Sequence, residues 1–154
     1  MTIFCDTNII MEFLEQRKFA AQVRQILTYS TTCGNELFIS YGSFYTITYL
    51  VERYLKEDKS LDKVARLNKL RYILNGVLEM FKLADQYPGS ISDGVNDSMF
   101  DDLEDSYQAH VALNMTCDVL LTINTRHFTR FAAISPVEVL SPEAFVSKYI
   151  SNFD

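Results

Sequence analysis

The sequence predicts an α/β domain with a mainly parallel central sheet. Short, continuously apolar segments recur along the chain, and amphipathic segments with helical periodicity separate them. Continuous apolar runs suit strands that are buried on both faces, as in parallel sheets covered by helices. Ligands of such a domain are expected beyond the carboxyl ends of the strands.

The N-terminal half contains two clear strand patterns and four helical ones. The first strand is "TIFC" at residues 2–5, and "LFIS" at residues 37–40 resembles it in length and apolarity. Helical periodicity is found at about residues 8–16, 20–32, 43–57 and 60–77.

The C-terminal half continues the alternation. "EMFKL" at 79–83 is a weak strand candidate, a helical pattern covers 103–115, and "DVLLT" at 118–122 is a clear strand. "VEVL" at 137–140 is a second weak strand. A last helix is predicted from Pro142 to Ile150, with Ser141 as its cap and proline at its first position.

The composition fits one domain spanning residues 1–154, because 48% of the residues are hydrophobic and suffice for a core. No apolar run reaches the roughly 18 residues of a membrane span, and Asp6 interrupts the first apolar segment too early for a signal peptide. We therefore expect a cytoplasmic protein with no membrane segment. Cys5, Cys33 and Cys117 form no CxxC motif and are expected to be buried free thiols.

Asp6 directly follows the first predicted strand, in "TIFCDTNII". Asp, Thr and Asn are all favoured N-cap residues, so Asp6 is either the cap of the next helix or a functional carboxylate at the sheet edge. The sequence around it leaves both interpretations open.

A second acidic group lies in "FDDLEDSYQAHVALNM" at residues 100–115, where Asp101, Asp102, Glu104 and Asp105 share one turn. Asp102 and Asp105 resemble a capping box, but like charges at this spacing repel. A divalent cation would reverse that penalty, and residues three apart on a helix face the same side. We expect the helix to be buried, with these acids near Asp6.

A third polar group, "TINTRHF" at 122–128, ends the "DVLLT" strand and brings Thr122, Asn124, Arg126 and His127 to the same edge. Thr122 and Asn124 are candidate ligand contacts or caps of a short helix. His127 is a candidate contact or an ordinary packed or surface histidine.

The charge distribution is uneven, although the net charge is −6. Eight acidic residues and no lysine or arginine lie between Lys82 and Arg126, whereas residues 53–71 contain seven of the fourteen basic residues. That basic stretch either contacts phosphates or forms a solvated helix face. Tyr41, Tyr45 and Tyr49 are expected in the core or on a dimer surface, with base stacking as the alternative.

Three segments, "IFCDTNII", "FDDLEDSYQAHVAL" and "CDVLLTINTRHF", resemble the motifs of PIN domains, the family that includes VapC-type toxin ribonucleases. "PVEVLSPEAFV" at 136–146 is similar to their last strand and terminal helix. The resemblance implies a three-layer α/β/α sandwich that cleaves RNA with Mg²⁺ or Mn²⁺. It also implies an antitoxin protein as partner and a homodimer.

The resemblance extends to individual residues. Asp6 matches the first metal ligand, Asp105 the acid that opens the later helix, and Asp102 an accessory acid, with Glu104 as a further candidate metal ligand. The predicted substrate contacts at the same edge are Asn8, Thr46, Thr122, Asn124, Arg126 and His127.

Two positions depart from the family pattern. Thr46 stands where many members have glutamate, and His127 stands where an aspartate is usual, so the acidic site is depleted. A PIN-like module without catalysis that binds RNA or protein is therefore one alternative. A phosphohydrolase of the haloacid-dehalogenase type, with Asp6 as nucleophile, is a weaker one because Asn8 replaces its second aspartate.

Overall fold

The computed structural model describes residues 1–151, which form one five-stranded, all-parallel sheet. The sheet order is β3-β2-β1-β4-β5. The chain builds one side of the sheet before it crosses β1 to build the other, so the order reverses between β1 and β4. Ligands of open parallel sheets bind at such a switch point. The strands are β1 (Thr2–Cys5), β2 (Glu36–Ile39), β3 (Lys82–Leu83), β4 (Val119–Leu121) and β5 (Glu138–Leu140).

Helices cover both faces of the sheet. Side chains alternate along β1, because Ile3 and Cys5 enter one apolar cluster while Phe4 enters the other. The two clusters make the fold a three-layer α/β/α sandwich, as expected. The helices are α1 (Thr7–Leu14), α2 (Ala20–Cys33), α3 (Tyr41–Glu57), α4 (Lys63–Met80), α5 (Pro88–Asn96), α6 (Leu103–Asn114), α7 (Thr129–Ile134) and α8 (Pro142–Phe145).

Two further helical segments complete the described part of the chain. A 3-10 turn at Thr125–Phe128 leads into α7, and a π-helical segment at Val146–Ile150 continues α8. Ser141 caps α8 as predicted, with its Oγ accepting a hydrogen bond from the backbone N–H of Ala144 at 3.1 Å.

Two expectations need correction, and one helix was not predicted. The weak strand at 79–83 shrinks to Lys82–Leu83, because α4 extends to Met80. Helix α5 has no counterpart among the predictions, since its sequence PGSISDGVN contains residues of low helix propensity and packing against α6 stabilises it instead. Cys33 is exposed at the end of α2, whereas Cys5 and Cys117 are buried.

Within residues 1–151, no helix combines the length and apolarity that crossing a membrane requires. The predicted domain extends to residue 154, and residues 152–154 lie outside the described residues.

The contact between α5 and α6 predicts a stability difference between two glycines of the same helix. A Cβ at Gly94 would lie 2.7 Å from Cδ1 of Tyr107, whereas a Cβ at Gly89 would meet nothing within 4 Å. Gly94→Ala should lower the free energy of unfolding by about 1–3 kcal/mol through overpacking. Gly89→Ala should leave it unchanged or raise it slightly. Urea titration would measure both, and equal stabilities of the two variants would contradict the packing.

Candidate active site

Asp6 lies at the N-cap position of α1, but its carboxylate does not cap the helix. Instead its Oδ2 accepts hydrogen bonds from Thr122 Oγ1 and from Asn8 Nδ2, each at 2.6 Å. The side chain is only 2% exposed. The capping interpretation of Asp6 is therefore wrong, because the carboxylate is directed to the switch point between β1 and β4.

Thr122, at the end of the neighbouring strand β4, and Asn8, in the first turn of α1, hold Asp6 in place. Thr122 follows β4, is fully buried, and also accepts a hydrogen bond from the backbone N–H of Asn124 at 3.0 Å. Asn8 Oδ1 accepts the backbone N–H of Ile123 at 3.3 Å. Thr122, predicted as a substrate contact, thus has no exposed surface for a ligand and orients Asp6 instead.

Asp105 lies in the first turn of α6 and is 7% exposed. Its Oδ2 lies 2.7 Å from Nδ1 of His127. The His127 side chain is 54% exposed, so it covers Asp105 on the solvent side while its ring remains accessible. His127 is therefore a surface histidine, as one interpretation predicted, and in addition it partners a buried acid.

The electrostatics of the two buried acids oppose ionisation. Burial raises the pKa of Asp6, the hydrogen bond from Thr122 partly offsets this, and the nearby charge of Asp105 raises it further. Burial also raises the pKa of Asp105, and the hydrogen bond with His127 offsets part of this increase. Two carboxylates that disfavour charge in one cleft are typical of a functional site.

Asp102 does cap its helix, as the alternative interpretation predicted. Its Oδ1 accepts hydrogen bonds from the backbone N–H groups of Glu104 at 2.8 Å and of Asp105 at 3.3 Å. The capping box is incomplete, because the Asp105 carboxylate pairs with His127.

A polar network beneath the acids was not predicted from the sequence. Oγ1 of Thr7 lies 3.1 Å from Glu104 Oε1 and 2.9 Å from Ser43 Oγ, and the Thr7 backbone N–H donates to Gln108 Oε1 at 3.3 Å. These contacts join α1, α3 and α6. Gln108 follows Asp105 by one helical turn, and this spacing was the available signal.

One cleft of about 260 Å³ collects most of the predicted residues. Arg17 and Gln108 line it without having been predicted. Arg126 does not line it and lies in an adjoining cavity. The predicted residues that line the cleft are Asp6, Asn8, Thr46, Asp102, Glu104, Asp105, Asn124 and His127.

The donor set is chemically suitable for a hard cation, although residues 1–151 contain no ready-made ligand cluster. Within residues 1–151, no three His, Cys, Asp or Glu side chains are arranged to hold a metal ion. Asp105 is engaged by His127, and one oxygen of Asp102 is engaged by the helix terminus. Asp6 and Asp105 supply the oxygen ligands that Mg²⁺ and Mn²⁺ prefer, and Mg²⁺ usually retains several waters.

The basic stretch and the tyrosines lie elsewhere. None of the lysines and arginines of residues 53–71 lines the cleft, and Lys56 forms an ion pair with Glu52 at 3.0 Å. This favours the solvated helix face. Tyr41, Tyr45 and Tyr49 are all exposed, so their expected place in the core is wrong and a surface role remains.

The family comparison agrees with this geometry. A family model for the PIN domain matches residues 3–134, and the chain belongs to the PIN domain family. Membership removes the haloacid-dehalogenase alternative. No curated protein matches the sequence.

Solved structures show the same fold. VapBC2 from Rickettsia felis, solved with a DNA fragment from its promoter, matches at 15% identity and a TM-score of 0.65, covering 92% of this chain and 98% of its own. FitAcB from Neisseria gonorrhoeae matches at 19% identity and a TM-score of 0.63, covering 92% and 98%. VapBC-1 from nontypeable Haemophilus influenzae matches at 13% identity and a TM-score of 0.55, covering 93% of this chain and 99% of its own.

The raised pKa of Asp6 predicts that this carboxylate lowers stability at neutral pH. A carboxyl whose pKa is higher in the folded state favours folding below its unfolded pKa, and this contribution is lost as the pH rises through the folded pKa. In EDTA at pH 7.5, Asp6→Asn should therefore melt higher than wild type, by about 2–4 °C for each kcal/mol gained. The difference should shrink toward pH 4.

Thermal unfolding followed by circular dichroism at several pH values would measure this difference. Asp93→Asn, which neutralises an exposed carboxyl on α5, should melt like wild type throughout and serves as the control. A lower melting temperature for Asp6→Asn at pH 7.5 would contradict the prediction.

Proposed function

We propose that this chain is a divalent-metal-dependent endoribonuclease and the toxin of a toxin–antitoxin pair. The observation that carries the proposal is the convergence of Asp6 and Asp105, two buried carboxylates from distant segments, in one cleft at the switch point of the sheet. Neither carboxylate caps a helix, so helix capping does not account for their positions.

Asp6 and Asp105 are the proposed metal ligands, with Asp102 and Glu104 contributing at the rim of the cleft. A Mg²⁺ or Mn²⁺ ion held there would lower the pKa of a bound water and stabilise the charge that develops on the scissile phosphate. Thr122 and Asn8 fix the orientation of Asp6, and His127 fixes that of Asp105. Asn8, Asn124 and His127 are the proposed polar contacts to the substrate within the cleft.

The depleted acidic positions favour one ion rather than two. Thr46 lines the cleft with a neutral side chain, and His127 occupies the other position with a ring that pairs with Asp105. Two closely spaced divalent cations need more negative ligands than two buried carboxylates provide.

A catalytically inactive PIN-like module that binds RNA is the second candidate. The absence, within residues 1–151, of three metal-binding side chains arranged around one point favours it. RNA binding without cleavage at any divalent metal concentration would support this candidate over the nuclease.

The comparisons support one proposed protein partner, and an exposed surface supports another. The solved neighbours are VapBC and FitAcB assemblies, which supports an antitoxin partner here. Co-purification with the product of an adjacent small open reading frame would test it.

The exposed Tyr45 and Tyr49 on α3 support a homodimer, and a monomeric mass in light scattering would contradict that proposal.

The nuclease proposal predicts metal-dependent RNA cleavage that requires both buried acids. Wild-type protein should cleave single-stranded RNA in Mg²⁺ or Mn²⁺ and lose activity in EDTA. Asp6→Asn and Asp105→Asn should each lower the rate by at least about 100-fold, since the metal ligands and the charge stabilisation are lost together. Cleavage of a labelled RNA resolved on a denaturing gel would measure this.

Matched variants separate chemistry from folding. Asp93→Asn and Asp118→Asn remove carboxylates outside the cleft, and both should retain wild-type rates if they remain folded. Undiminished cleavage by folded Asp6→Asn protein would overturn the proposed mechanism.

A further inference from the structure

A second cavity, of about 410 Å³, adjoins the acidic cleft. We call it the flanking cavity. It shares Asp102 and His127 with the cleft, so the two depressions meet along these side chains. Its volume lies within the range of about 300–1,000 Å³ that is typical of small-molecule sites. The flanking cavity is lined by Met99, Phe100, Asp101, Asp102, Arg126, His127, Thr129 and Arg130.

The lining of the flanking cavity includes two arginines, which suit an anionic group. Arg126 and Arg130 are exposed, and within residues 1–151 neither forms an ion pair with a carboxylate. A guanidinium group binds phosphate oxygens in a bidentate geometry. By contrast, Arg17 on the cleft is already paired with Glu15, with Nε 2.6 Å from Oε2.

The lining of the flanking cavity also includes an apolar part. Met99 and Phe100 line it, and the ring of Phe100 packs edge-on against Phe128, with ring centroids 5.7 Å apart and an interplanar angle of 76°. Aromatic and apolar side chains of this kind bind the faces of unpaired bases.

Asp101 adds an acceptor to the rim of the flanking cavity. A carboxylate can accept two parallel hydrogen bonds from the N1–H and N2–H groups of guanine. Uracil offers one N–H between two carbonyl oxygens, which repel a carboxylate. Asp102 is less available, because its Oδ1 already accepts two backbone N–H groups.

We propose that the flanking cavity binds the nucleotide next to the scissile phosphate and selects guanine there. Arg126 and Arg130 bind the phosphate of that nucleotide, Met99 and Phe100 contact its base, and Asp101 accepts the donors on the base edge. This inference rests on the proposed nuclease function, since it assigns the cavity to the RNA that enters the acidic cleft.

NMR of methionine methyl groups labelled with ¹³C tests nucleotide binding. The Asp6→Asn variant in EDTA is used so that no cleavage takes place. Addition of guanosine monophosphate should shift the Met99 signal, assigned with Met99→Leu, and leave those of Met80 and Met115 in place. Guanosine monophosphate should bind at least about fivefold more tightly than uridine monophosphate, and Asp101→Asn should remove this preference.

Charge removal provides the matched comparison. Arg126→Gln with Arg130→Gln should weaken nucleotide binding at least about fivefold, whereas Lys69→Gln with Arg71→Gln, on exposed positions of α4, should not. An unmoved Met99 signal, equal affinity for the two nucleotides, or equal effects of the two double variants would each overturn the proposal.

Cleavage mapping separates this inference from the nuclease proposal. Wild-type protein should cut a randomised RNA with guanine enriched on one side of the cleavage point, and Asp101→Asn should lose the enrichment. If wild-type protein cleaves RNA and its guanine preference survives in Asp101→Asn and in the arginine double variant, the assignment of the flanking cavity is refuted and the nuclease proposal is not. Nucleotide binding at Met99 without RNA cleavage in any divalent metal would refute the nuclease and support the cavity as a nucleotide site.

Discussion

The burial of the Asp6 carboxylate is the constraint on which the site depends. A buried carboxylate disfavours charge, and the proximity of Asp105 makes ionisation of both groups still less favourable. The hydrogen bonds from Thr122 and Asn8 offset part of this cost and fix one oxygen of Asp6. A divalent cation would offset the remainder, and this supports the proposed cation site at these acids.

The fold supplies this arrangement through strand order and helix packing. The order reversal between β1 and β4 brings Asp6 and Thr122 to adjacent strand ends, where the Asp6 backbone N–H also donates to Leu121 O at 2.9 Å. Helix α6 brings Asp105 to the same edge, and α5 supports α6 through the hydrogen bond from Ser106 Oγ to Gly94 O at 2.9 Å. A short helix without clear sequence signals thus contributes to the placement of a proposed metal ligand.

Sequence patterns predicted what depends on local chemistry and missed what depends on tertiary contact. The apolar runs located β1, β2 and β4, and the acids after β1 and at the start of α6 identified the two sides of the cleft. Helix α5 was missed because its stability comes from packing. The role of Thr122 depends on pairing between strands far apart in sequence, and the partnership of His127 with Asp105 depends on the path of the 3-10 turn.

The position of positive charge is the remaining constraint on any RNA-cleaving role. A cleft lined by four acids repels a phosphate backbone, and the lysines and arginines of residues 53–71 do not line it. The arginines that line these cavities are Arg17 in the cleft and the pair Arg126 and Arg130 in the flanking cavity. Because Coulomb attraction between exposed charges is screened within about 10 Å at 0.1 M salt, arginines that line the cavities would matter more than the basic stretch, which lines neither. The proposed substrate path therefore follows the cavities that contain these arginines, across the point where Asp102 and His127 join them.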